Sequence, residues 1–198
     1  MMENNFDKNL DFEWWNNLPA NWKKIFNFFI NKPKHKFRLS NSGYENYYNF
    51  LGIKYTSFAS PSEIHNFIKY HGTDEKPNNL ELQEILDTKH FHLDLNGDFW
   101  FINYDISPIM SLNKLQKLTI YKLAINDKNI AEIGNLSELT ELNLGWNFIR
   151  DVSVFKTLKN LKILNLYNNP ISIDNINDLK THLPNCKIIY SEKYYYGN

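Results

Sequence analysis

The block Leu115-Gln-Lys-Leu118-Thr-Ile120 recurs as Leu139-Thr-Glu-Leu142-Asn-Leu144 and again as Leu161-Lys-Ile-Leu164-Asn-Leu166. The second and third copies run on to Asn147-Phe-Ile149 and Asn169-Pro-Ile171. Leu142 lies 24 residues after Leu118, and Leu164 lies 22 after Leu142. A pattern that returns at this period marks units too short to bury an apolar face alone, so they must stack into a solenoid. Stacked units present a broad curved surface, whose default use is to bind other macromolecules.

Ahead of each block the apolar residues fall at every third position. They are Ile106, Ile109, Leu112, Leu115 and Leu118, then Ile130, Ile133, Leu136, Leu139 and Leu142. The third series is Ile149, Val152, Phe155, Leu158, Leu161 and Leu164. A period of three suits 3₁₀ turns, whereas an α-helical stripe alternates threes and fours. Each unit therefore reads as a strand, a tight turn and a 3₁₀-like back. A further strand is expected upstream at Phe91-His-Leu93-Asp-Leu95, with Leu93 aligned to Leu118 and Asp98 at the Asn position. Downstream, Cys186-Lys-Ile188-Ile-Tyr190 is expected to close the sheet, Ile188 standing 24 residues after Leu164. The expected class is an α+β repeat of about five parallel strands with a 3₁₀-like convex side and a helical N-terminal cap.

Asn147 and Asn169 are expected to act as a structural ladder, their amides bonding backbone groups of neighbouring turns that burial would otherwise leave unpaired. Leu123 stands where the first unit should carry this Asn, so that turn is expected to be looser, or closed by backbone alone.

The exposed ends of a solenoid need covers. The expected division is a helical N-terminal capping region over 1–87 and a solenoid with its C-terminal cap over 88–198. Trp15, Leu18, Trp22, Ile25 or Phe26, and Phe29 form an amphipathic stripe over about 12–30, with a break near Leu18 because Pro19 falls inside it. Packing on the first repeat is the favoured reading of this stripe; an interfacial membrane helix is the alternative. Ser60-Pro-Ser-Glu63 predicts a second helix to about Tyr70, and a third covers about Asn79 to Leu86. At the far end Ile173, Ile176, Leu179 and Leu183 predict a last α-helix stopping before Pro184.

Lys+Arg and Asp+Glu are equal at 22 each, so no global field gathers polyanions, and nucleic acid is not expected as a partner. The cluster Lys32-Pro-Lys-His-Lys-Phe-Arg38 reads as a solvated loop. The polar, acidic start carries no signal-like run, no stretch is apolar enough to span a membrane, and Cys186 is the single cysteine. A cytoplasmic monomer is the expectation. Cys186 reads as a small buried apolar residue.

The repeats, together with Trp14-Trp-x-x-Leu18-x-x-x-Trp22-Lys-Lys-x-Phe26, Asp105-Ile-Ser-Pro108 and Leu183-Pro-Asn-Cys-Lys-Ile188, make the chain resemble small bacterial leucine-rich repeat proteins. The repeats are similar to the 22-residue type of internalins and of the SDS22-like phosphatase regulator, over about residues 87 to 190. This resemblance implies protein binding and no catalysis.

Alternation along the strands assigns the concave surface. Its expected rows are His92, Lys117, Glu141, Ile163 and Lys187; then Asp94, Thr119, Asn143, Asn165 and Ile189; then Asn96, Tyr121, Gly145, Tyr167 and Ser191. Lys122, Trp146 and Asn168 lie just beyond. Of these, Lys117, Thr119, Tyr121, Glu141, Asn143, Trp146, Asn165, Tyr167 and Asn168 are the candidate protein-binding residues, with Tyr121, Trp146 and Tyr167 as aromatic anchors. His90, His92 and Asp94 share one strand face, but three parallel side chains do not converge on a metal, so neither metal nor cofactor is expected. No nucleophile motif or phosphate loop appears, and no catalytic residue is assigned. The function these features predict is an adaptor, inhibitor or immunity-type protein. The alternatives are a membrane-surface protein using the aromatic helix and an enzyme with an unrecognised N-terminal site.

Overall fold

A computed structural model describes residues 12–30, 73–94 and 105–193. Among them, five parallel strands form one sheet in sequence order: β1 (His90–Asp94), β2 (Lys117–Tyr121), β3 (Glu141–Asn143), β4 (Ile163–Asn165) and β5 (Lys187–Ile189). The returns between β2, β3 and β4 hold 3₁₀ turns at Ile133–Asn135 and Ser153–Thr157, and a further one, Ser107–Ser111, leads into β2. All the residues of the three period-three series are buried, from Ile106 through Leu164. Every third side chain of these turns thus enters one core shared with the strand residues Leu118, Ile120, Leu142, Leu144, Leu164 and Leu166. The result is a short leucine-rich repeat solenoid with helical N-terminal segments.

The register corrects the first strand. Phe91, not Leu93, pairs with Leu118, and His90 pairs with Lys117. The shift of two keeps the inside-outside alternation but moves each concave neighbour one row. Its physical reason is aromatic: Phe91 is buried, with its ring 6.2 Å from Trp22 and 5.8 Å from Phe26. A ring at the first core position fills the gap between the sheet edge and the helices that a leucine would leave.

Those helices are α1 (Phe12–Asn17) and α2 (Ala20–Ile30), separated at Leu18-Pro19 as proline's missing N–H requires. Trp15, Trp22, Ile25 and Phe26 are all buried, and the Trp22 indole donates to the Asp105 carbonyl at 2.9 Å. These residues of the stripe are therefore packed against the solenoid end and are not available to a membrane surface. Asn27, also buried, donates to the carbonyls of Thr73 and Glu75, tying α2 to the segment before α3 (Asn79–Leu86). The helix α3 starts with a reciprocal capping box between Asn78 and Glu81.

At the other end α4 (Ile173–His182) starts at Ser172, whose hydroxyl accepts from the Asn175 amide. Ile176, Leu179 and Leu183 are buried; Ile173, expected on the same stripe, is instead 51% exposed because it opens the first turn. The helix predicted from Ser60, the basic cluster 32–38, and Leu95, Asn96 and Asp98 lie outside the described residues. No helix among the described residues is long and apolar enough to cross a membrane.

Candidate protein-binding face

The turns that follow the strands decide what the concave surface presents. Lys122, Trp146 and Asn168 occupy equivalent positions and all have positive φ, at 57°, 59° and 52°. A left-handed residue at the end of each strand swings the chain away from the sheet, and non-glycine residues adopt it only when neighbours hold them there. Here the Trp146 amide donates to the Tyr167 carbonyl at 2.8 Å and the Asn168 amide to the Ser191 hydroxyl at 2.9 Å. The Lys122 amide donates to the Gly145 carbonyl at 3.1 Å.

The buried Asn147 completes this lock. Its Oδ1 accepts from the Leu123 and Ile125 amides of the preceding turn, at 3.0 and 3.3 Å. Its Nδ2 donates to the carbonyls of Ile120, Leu144 and Gly145. Asn169 repeats the scheme, accepting from Ile149 and donating to Leu144 and Leu166. The turn at Leu123 is therefore neither loose nor closed by backbone alone: the Asn of the next unit serves both turns. Leu123, freed of the polar role, is buried as a core residue, and an extra positive φ of 51° at Ala124 adapts the chain to it.

Two other candidates are partly structural. Asn143 Oδ1 accepts from the Gly145 amide at 3.0 Å, and Asn165 Oδ1 from the Tyr167 amide at 2.9 Å. These Asx turns end β3 and β4, so the carbonyl half of each amide is engaged before any partner arrives. Asn168 is a correction: its side chain is completely buried, unlike those of Lys122 and Trp146 at the equivalent turns, and it leaves the candidate surface.

Half-buried side chains remain along the face at Lys117, Thr119, Tyr121, Glu141, Trp146 and Tyr167. Lys117 and Glu141, adjacent in register, form an ion pair at 2.6 Å. The Trp146 and Tyr167 rings lie 6.2 Å apart at 47°. Beside them Gly145 makes room for Tyr121: a Cβ at 145 would sit 3.3 Å from Tyr121 Cε2 and 3.3 Å from Asn143 Oδ1. Small residue, ring and Asx turn are thus fitted to one another, and Tyr121 leans over the glycine toward the other two rings' strand.

Sequence reasoning passed over the start of β4. Ile163 is 38% exposed, with Lys162 exposed beside it and Lys187 paired to it across the sheet. The signal was present in Leu161-Lys-Ile-Leu164, where two unlike residues stand between the buried leucines. Burial is the main cause pushing the Cys186 thiol up from its ordinary range, opposed by a backbone hydrogen bond from Leu164, which suits a packing residue over a nucleophile. Burial, then Lys117, lowers the His90 pKa and favours its neutral form. Among the described residues no group of three His, Cys, Asp or Glu side chains is placed to hold a metal.

No protein-family profile matches the sequence. Among solved structures, the chain is similar to a leucine-rich repeat protein of Leptospira interrogans at 30% identity and a TM-score of 0.42, covering 58% of this chain and 28% of that one. It is similar to an internalin of Listeria monocytogenes at 25% identity and a TM-score of 0.43, covering 56% of this chain and 36% of that one. A second Listeria monocytogenes structure, internalin C2, matches at 25% identity and a TM-score of 0.40, over 56% of this chain and 55% of that one. The chain thus spans less than two thirds of the length of each of these proteins.

Proposed function

We propose that this chain is a non-catalytic protein-binding module whose concave sheet face meets a protein partner, in the manner of an adaptor, inhibitor or immunity-type protein. In this reading residues 1–87 cap the solenoid of 88–198, whose repeats are of the 22-residue type. The observation that carries it is the Trp146–Tyr167 ring pair, half-buried at 6.2 Å and held by a left-handed turn with a backbone hydrogen bond beneath it. Large rings with a fixed orientation give contact area at little entropic cost, which is what the centre of an interface needs. Trp15, Trp22 and Phe26 of α1 and α2, by contrast, are committed to the core.

The test is affinity capture with the intact chain and with Trp146→Ala/Tyr167→Ala, followed by quantitative mass spectrometry. Alanine strains the left-handed site no more than tryptophan does, and the loss of the ring–ring contact together with the buried part of two half-exposed rings should lower stability by about 2–4 kcal/mol with the fold retained by circular dichroism. Capture of the partner should be abolished. Equal recovery of the same partner by both proteins would refute the assignment.

A further inference from the structure

Ile163, 38% exposed, sits among cations with no acid to answer them. Lys162 immediately precedes β4, Lys187 is the partner of Ile163 in register on β5, and both lysines are exposed. The acid nearest in register, Glu141 on β3, is bonded at 2.6 Å to Lys117 on its other side. Among the described residues neither Lys162 nor Lys187 forms an ion pair, whereas Lys114, Lys117 and Lys156 each do. Tyr167 stands four residues along the same strand direction from Ile163, about 13 Å at the rise of an extended chain. The start of β4 therefore carries an exposed aliphatic side chain with an exposed lysine next to it in sequence and another next to it in register, and an aromatic pair lies past the strand's end.

We propose that the partner segment seated on this side of the face is an acidic one, with carboxylates meeting Lys162 and Lys187 and an apolar anchor reaching the Trp146–Tyr167 pair. This inference rests on the concave face being the binding surface. A carboxylate-bearing peptide fits better than a polyanion, because the cations number two and lie at one end of an apolar and aromatic strip. A nucleic acid or anionic membrane instead neutralises runs of charge over a wider surface.

The experiment pans a display library of short random peptides against the intact chain, Lys162→Glu/Lys187→Glu, and Trp146→Ala/Tyr167→Ala. Selected peptides are then titrated at low and high salt. The wild type should enrich peptides that combine Asp or Glu with an aliphatic or aromatic residue. Charge reversal should weaken these at least about tenfold, as expected for two exposed pairs turned repulsive, and high salt should reduce the difference. Lys162→Gln/Lys187→Gln should give an intermediate loss, and all variants should retain the wild-type circular dichroism. Enrichment of neutral or basic peptides that bind the Lys variants unchanged, yet are lost with Trp146→Ala/Tyr167→Ala, would overturn the acidic partner and leave the binding face standing. Peptides indifferent to both sets of substitutions would overturn both. Tighter Lys-dependent binding of a single-stranded oligonucleotide or of phosphatidylserine vesicles than of any selected peptide would overturn the inference in favour of a polyanion.

Discussion

Asn147 makes five hydrogen bonds from one buried amide, reaching the turn before its own as well as its own. Each polar group it serves lies where water cannot replace it, so removing the amide orphans several groups at once. Asn147→Ala should lower unfolding stability by about 3 kcal/mol in urea denaturation, and a loss under about 1 kcal/mol would show that the ladder is dispensable. That Asn147 and Asn169 are structural was legible from their place in the repeat. Their reach to neighbouring turns was legible too, but not that this reach from Asn147 closes the turn at Leu123, because the missing Asn there was read as a missing bond. Asn168 was misjudged because the alternation of β4 ends at Asn165, so the spacing says nothing of which way a side chain three residues later points.

At the scale of elements, the convex side depends on close stacking of 3₁₀ turns. Gly134 illustrates it, since a Cβ there would stand 2.8 Å from Thr157 Oγ1 and 3.1 Å from the Val154 carbonyl oxygen of the next turn. One of these is backbone and cannot swing aside, so Gly134→Ala should destabilise the protein by about 1–3 kcal/mol in thermal or urea unfolding. The helix α4 is tied to the same turn by the Lys156–Asp178 ion pair, and Lys156 is the main cause holding the Asp178 carboxyl below its ordinary range. A depressed carboxyl stabilises the folded state above its unfolded pKa, and that contribution is lost as pH falls through the folded value. Asp178→Asn should therefore melt slightly below wild type at neutral pH, with the two curves converging in acid; a gap that persists in acid would rule out the ion pair as its cause. The period of three disclosed these 3₁₀ turns because their side chains eclipse at that interval. The two-residue slip in β1 escaped because a phenylalanine filled a leucine slot, and only the rings of Trp22 and Phe26 opposite it explain the choice.

Across the described residues, two groups of aromatic side chains stand apart. Trp15, Trp22, Phe26 and Phe91 are buried where the N-terminal helices meet the solenoid, while Tyr121, Trp146 and Tyr167 are half-buried along the concave face. Composition counts both alike, and only placement separates a cap from a binding surface. A partner seated on the concave strands should shield their amides, which hydrogen–deuterium exchange of the chain with and without its captured partner reads residue by residue. Protection is expected over 117–121, 141–146 and 163–167, with the 3₁₀ turns at 133–135 and 153–157 unchanged. Protection confined to those turns or to α4, with the strands unaffected, would contradict it.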